Sequence, residues 1–339
     1  MNLRWCYDGF EFSSNGQILA VMRRGGTLCL FEKQGDCWPQ YQNQLIEDVL
    51  RFKFSPDSKT LAVRTRRDSC LKVFEKKGDC WKVIKKKDYS GIAPADTFIE
   101  HALSFHFSSD SKLLLVGTTT GTTLFEKKVS DWVIAQSNSD FNYYSNLEDA
   151  QCSPCMKYLF VPRGCQYIDV YSGTKGKYFS LNAWNEIEIE DIDSLSCKFS
   201  LNSELFAFLT HDFNTLIIFE IQEIDWCSAL KTGALESRVL YKEYNEPFNL
   251  KQFIQSYGLR LNDISTFELS NDSQAIAVKT EENDLKILEK QKDGTWMVPE
   301  QATLNNVIGS VFLADQSLII IKKSYGDAFE IVKLVPSDE

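Results

Sequence analysis

Histidine is scarce: three occur in 339 residues, so acid–base catalysis through imidazole has little to draw on. No Gly-x-Ser-x-Gly elbow, Walker loop or His-Glu-x-x-His segment is present. Apolar runs fall short of the roughly 20 residues that span a bilayer, and the opening Met1-Asn2-Leu3-Arg4-Trp5-Cys6-Tyr7-Asp8 lacks the apolar segment of a secretory signal. Positive charge is in deficit, with 37 Lys and Arg against 47 Asp and Glu and a net charge of −10. That balance argues against nucleic acid or an anionic membrane as the main partner. The ten cysteines follow no disulfide spacing and mostly replace other apolar residues of sister segments, as reduced thiols in a cytosolic setting do. These absences point to a cytoplasmic protein that is monomeric alone, carries no cofactor or metal and is not an enzyme. A secreted effector acting in a host cytosol would look the same.

What is present is a repeat. In residues 49–84, Leu50, Phe52 and Phe54 alternate with Arg51 and Lys53, the period of a half-buried strand. Ser55-Pro56-Asp57-Ser58 then turns the chain, and Leu61-Ala62-Val63, Leu71-Lys72-Val73-Phe74 and Trp81-Lys82-Val83-Ile84 read as three further strands. The turn recurs at Ser13, Ser108, Ser153, Ser200 and Ser270, with Ala314 in the seventh register. Most third strands end in Phe-Glu, as at Phe31-Glu32, Phe74-Glu75, Phe125-Glu126 and Phe219-Glu220. Most fourth strands start at a tryptophan: Trp38, Trp81, Trp132, Trp226 and Trp296. Four antiparallel strands cannot bury both faces alone and must stack on copies of themselves.

The phenylalanine-serine-proline-aspartate turn, the small-apolar second strand and the aromatic-acidic end of the third resemble the WD-repeat family of β-propellers over nearly the whole chain. Phe-Glu replaces Trp-Asp, and the Gly-His pair ahead of the first strand is missing. The resemblance implies an all-β fold, a single seven-bladed β-propeller of four-stranded antiparallel blades at about 10–40, 49–84, 101–135, 147–181, 194–230, 263–299 and 306–335. The seventh repeat ends after its third strand, so residues 3–7 are expected to supply its fourth and close the ring, leaving no open edge. Residues 85–100 and 231–262 are insertions. In the second of these, Phe248, Leu250, Phe253, Ile254 and Tyr257 have near-helical spacing, which predicts a short amphipathic helix on the ring.

A propeller presents its second-to-third strand turns and its blade-to-blade loops on one face. Arg23, Arg24, Arg64, Arg66, Arg67, Lys322 and Lys323 would form a basic arc there, opposite Glu186, Glu188, Glu190, Asp191, Asp193, Glu281, Glu282 and Asp284. Phe141, Tyr143, Tyr144 and Trp184 are read as loop aromatics of the kind that make interface hot spots. Arg24, Arg64, Arg66, Arg67, Phe141, Tyr143, Tyr144 and Trp184 are therefore the candidate contacts of a scaffold that holds a protein or peptide. Two alternatives stand beside it. One is a small-ligand-binding or enzymatic propeller acting at the central channel, for which no convergent His, Asp or Glu set is evident in the first strands. The other is phosphoinositide or RNA binding through the basic arc. Gly117-Thr118-Thr119-Thr120-Gly121 reads as a strand-to-strand turn, Cys152-Ser153-Pro154-Cys155 as repeat drift, and the lysines Lys33, Lys76, Lys77, Lys127, Lys128 and Lys290 as protection for the opposite face.

Overall fold

Ile18-Leu19-Ala20-Val21-Met22 is apolar at consecutive positions, which a strand tolerates only when both of its faces are covered. In the computed structural model every sheet is built around such a strand. It describes residues 7–35, 37–67, 69–78, 80–84, 99–128, 131–138, 150–156, 158–163, 167–173, 179–188, 192–210, 215–220, 256–260, 264–292, 296–298, 303–313, 315, 317–323 and 329–334. The described strands form seven antiparallel sheets, each running outward in chain order. Their first strands are Tyr7–Phe12, Val49–Phe54, Ala102–Phe107, Gln151–Cys152, Ile192–Phe199, Ile264–Leu269 and Val307–Phe312. Five sheets have four strands. The outer strand of the sixth is split into Trp296–Met297 and Thr303–Leu304, and the seventh has three strands among the described residues.

Alternation sends successive side chains to opposite neighbours. Ile18, Ala20, Met22, Leu28 and Leu30 of the first sheet pack on Val49, Leu61 and Val63 of the second, whereas Leu19, Val21, Cys29 and Phe31 pack on Leu313, Ile319 and Ile321 of the seventh. The second sheet gives Ala62, Leu71 and Val73 to the third, and the third gives Leu113, Leu115 and Leu124 to the fourth. Phe160 of the fourth stacks on Phe206 of the fifth with centroids 4.3 Å apart. Leu205, Ala207 and Leu209 meet Ile276 and Val278 of the sixth, and Ala277 and Leu285 meet Leu318 and Ile320 of the seventh. Each sheet thus packs on two others, and the seventh packs on the first. A buried Leu or Ile contributes roughly 1.5–3 kcal/mol, so these seams hold most of the stability.

The turn serine explains why the repeat is legible. Its hydroxyl accepts the amide of the residue opening the second strand, Ile18 on Ser13 and Thr60 on Ser55, both at 2.9 Å, and donates to Asn15 or Asp57 two residues on. The last turn position has positive φ in each case: Gly16 at 65°, Ser58 at 60°, Ser111 at 58°, Met156 at 56°, Ser203 at 66° and Ser273 at 62°. Where that residue is serine its hydroxyl also ties neighbouring sheets. The amides of Asn15, Asp57 and Cys155 donate to Ser58, Ser111 and Ser203 of the following sheet at 3.1, 2.9 and 2.9 Å.

Several expectations are corrected. Leu313, not Ala314, holds the place of the turn serine, because its amide bonds the carbonyl of Ser317 across a turn one residue shorter than the i to i+5 closure from Ser13 to Ile18. Tyr7, assigned to a strand closing the seventh sheet, pairs with Arg23 inside the first; Trp5 lies outside the described residues. The outer strand of the fourth sheet is Phe179–Glu188, longer than a blade ending at 181. The outer strand of the fifth is Ser256–Arg260, drawn from the second insertion, so Tyr257 pairs with Ile218 in a strand and not on a helix. Trp226 and residues 247–255 lie outside the described residues. The outer strand of the first sheet starts at Gln40, and Trp38 instead sets its ring against Phe12, edge to face at 5.5 Å.

Candidate functional site

Two places gather polar side chains from separate sheets. The first is built on turns. Gly25 and Gly26, with φ of 94° and 81°, turn the first sheet tightly enough that the Gly26 carbonyl accepts the Val49 amide at 2.7 Å. A Cβ on Gly26 would stand 2.9 Å from the Val49 carbonyl oxygen, so only glycine permits this approach. On the far side of Val49 the Asp48 carbonyl accepts the Arg66 amide at 2.7 Å, and its carboxylate accepts the Arg67 amide at 2.9 Å. Arg66 Nε also donates to the Val49 carbonyl at 3.0 Å. The turns carrying Arg24, Arg66 and Arg67 therefore abut, and all three residues are exposed.

Arg64 does not belong to that surface. It is 5% exposed and donates from Nη1 to the carbonyl of Leu103 in the third sheet at 2.9 Å. Lys279 makes the same tie from the sixth sheet to Ile308 of the seventh, also at 2.9 Å, and burial lowers its pKa. Both are cations at the same position of the second strand, acting as cross-sheet fasteners. Lys322 and Lys323 end the second strand of the seventh sheet. Trp184, expected in a loop, lies in an outer strand opposite Tyr171; Phe141, Tyr143 and Tyr144 lie outside the described residues. Of the acidic arc, Glu281 and Glu282 are exposed at the sixth-sheet turn, whereas Glu186, Glu188 and Asp193 stand in strands and Glu190 and Asp191 lie outside the described residues.

The second gathering is one that sequence reasoning missed. The residue two places before each turn stands in the first strand of its sheet: Glu11, Lys53, His106, Gln151, Lys198, Glu268 and Val311. Their charges meet. Glu11 accepts the Phe54 amide at 3.2 Å, and its carboxyl is pushed up to about 8, by burial first, against the lowering pull of Lys53; Glu268 raises it further and Lys198 lowers it. Lys198 bonds Glu268 at 2.5 Å. His106 is 8% exposed, shares its Nε2 with the Ala150 carbonyl at 2.8 Å, and is driven down to about 3 by burial and by Lys53 and Arg51. Glu11, Lys198 and Glu268 are half-buried and Lys53 is exposed. The signal lay in the sequence: in six of the seven repeats a polar residue stands two places before the turn between two apolar neighbours.

The remaining motifs have structural places. Thr118 Oγ1 bonds the Gly121 carbonyl and Thr120 within the second-to-third strand turn. Cys152 is buried with Sγ 3.3 Å from Met156 Sδ, and burial raises its thiol pKa well above the usual range. On the opposite face Glu32 pairs with Lys76 and Glu75 with Lys127 of the next sheet, so two lysines read as edge protection join the sheets through the Phe-Glu glutamates. No helix among the described residues is long and apolar enough to cross a membrane.

No protein-family model matches this chain, and no curated protein matches its sequence. Solved structures do match in fold. A functionally unknown protein from Desulfotomaculum acetoxidans shares 12% identity over 94% of this chain and 92% of its own, with a TM-score of 0.57. A protein from Lactobacillus plantarum shares 9% over 86% and 83%, with a TM-score of 0.55. Kluyvelomyces marxianus Hsv2 aligns over 98% and 99% at 10% identity and a TM-score of 0.49. At these identities the likeness is one of all-β fold.

Proposed function

We propose that the chain is a seven-bladed β-propeller with divergent WD-like repeats, working in the cytoplasm as a non-enzymatic scaffold that holds an acidic protein segment on its turn face. Support for the ring comes from the seven sheets and from the packing of the last on the first. Free thiols at Cys29, Cys37 and Cys152 fit a reducing compartment. The observation that carries the binding reading is the contact between the turns that bear exposed Arg24, Arg66 and Arg67, on a protein of net charge −10. A basic patch on an acidic body orients a partner by its field and selects against like-charged ones.

The test is fluorescence anisotropy with a labelled polyglutamate peptide at low salt. Binding should weaken about tenfold in the Arg24→Glu/Arg67→Glu variant and fall with added salt. Equal binding by wild type and variant would remove the arc from consideration. Stronger, charge-dependent binding of single-stranded RNA or phosphoinositide vesicles in the same assay would replace the peptide reading.

A further inference from the structure

We propose that the inward-facing residues of the first strands form a binding site for a small oxyanion, a carboxylate or a tetrahedral anion, seated between the Lys53 ammonium and the Glu11 carboxyl. The inference is independent of the turn-face reading. Four charged side chains, Glu11, Lys53, Lys198 and Glu268, and the imidazole of His106 come from five different sheets and occupy one repeat position. In each of these five strands the residues on either side of that position are apolar.

The arrangement favours an anion. Glu268 is already matched by Lys198, which leaves little charge to hold a cation on that side. Lys53 makes no hydrogen bond or ion pair among the described residues, yet its charge is felt by Glu11 of the first sheet, His106 of the third and Cys152 of the fourth. An exposed ammonium with no hydrogen-bond or ion-pair partner among the described residues is a ready donor, and Arg51 adds positive charge beside His106. Below its raised pKa of about 8, Glu11 carries a proton and can donate alongside Lys53. His106 stays neutral and Gln151 is uncharged, so neither opposes an anion.

Calorimetric titration with sodium sulfate and with sodium succinate, whose charges are constant above pH 6.5, tests the site. One or both should bind with one-to-one stoichiometry at millimolar concentration or below; the preferred anion identifies the natural chemistry as phosphoryl-like or carboxylate. Lys53→Met should weaken binding at least about tenfold, while Glu11→Gln, which mimics the protonated carboxyl, should keep affinity within about threefold at pH 6.5. Wild-type affinity should drop as pH rises through about 8, where Glu11 ionises, and the Glu11→Gln variant should not show that drop. Cys152, whose thiol burial holds well above the usual range, stays protonated over this window. Failure of both anions to bind, binding that survives Lys53→Met, or a wild-type affinity flat across pH 7 to 9 would each overturn the proposal. The wild-type pH series decides the matter even if Lys53→Met fails to fold.

Discussion

The ring of Phe10 lies so close over Gly309 that an ideal Cβ on the glycine would stand 2.0 Å from its Cζ. Gly309 has no positive φ to account for it; the space is what only glycine leaves. This contact lies at the seam between the first and last sheets, where Phe12, Leu19, Leu313 and Ile319 are buried together. Gly309→Ala should destabilise the protein by about 1–3 kcal/mol, as overpacked cores do. Phe10→Leu placed on top should recover part of the loss, and urea denaturation of the two variants measures both effects. An Ala variant as stable as wild type would mean that the seam is looser than described.

Ser58 combines two features that substitution separates. Its φ is 60° and its hydroxyl accepts the Asn15 amide from the preceding sheet at 3.1 Å. Ser58→Ala loses the acceptor and keeps a conformation costly for a residue with a Cβ. Ser58→Gly loses the acceptor but suits the backbone. The Gly variant should therefore be the more stable of the two by roughly 1 kcal/mol, a difference visible as a shift in melting midpoint.

Arg64 and Arg67 sit three residues apart and should answer mutation in opposite ways. Arg64 is buried and bonded to Leu103, so Arg64→Ala should cost about 1.5–3 kcal/mol, the range for hydrogen bonds to charged groups. Arg67 is 87% exposed at its side chain, with its Nε 3.9 Å from Asp48, and Arg67→Ala should stay within about 0.5 kcal/mol of wild type. Thermal unfolding of the two single variants distinguishes fastener from surface.

The pH dependence of stability has two opposed contributions. Glu11 has a folded pKa of about 8 against an ordinary 4.5, so the folded state binds more protons between those values and stability falls as pH rises through that window. His106 has a folded pKa of about 3 against 6.5, so the unfolded state binds more protons there and stability falls as pH drops from 6.5 toward 3. The effects offset each other between 4.5 and 6.5. Glu11→Gln should flatten the loss between pH 6.5 and 8, and His106→Gln should flatten the acid limb below 4.5. Chemical denaturation across pH checks both.

The turn and the second strand were legible because their chemistry is local: the serine caps its own turn, and consecutive apolar residues report burial on both faces. The seventh turn was read one residue late, since Leu313 occupies a polar register and the loop is shortened. The outer strand at Ser256–Arg260 was illegible for a different reason. It pairs with Thr215–Phe219 across a long insertion, and no local rule joins residues so far apart; Tyr257, which the spacing assigns to a helix, stands in this strand. Arg64 misled because a charged residue at a strand end reads as surface until its acceptor on the neighbouring sheet is seen. The set from Glu11 to Glu268 is visible as a recurring polar position, and its meaning depends on the proposed convergence of the first strands.

That convergence is tested most directly by a crystal structure of the wild-type chain. The account predicts Glu11, Lys53, Lys198 and Glu268 around a common axis, with Phe10 seated on Gly309 where the seventh sheet meets the first. Electron density that separated those two sheets, or that turned Lys53 away from Glu11 to the outside of the molecule, would contradict it.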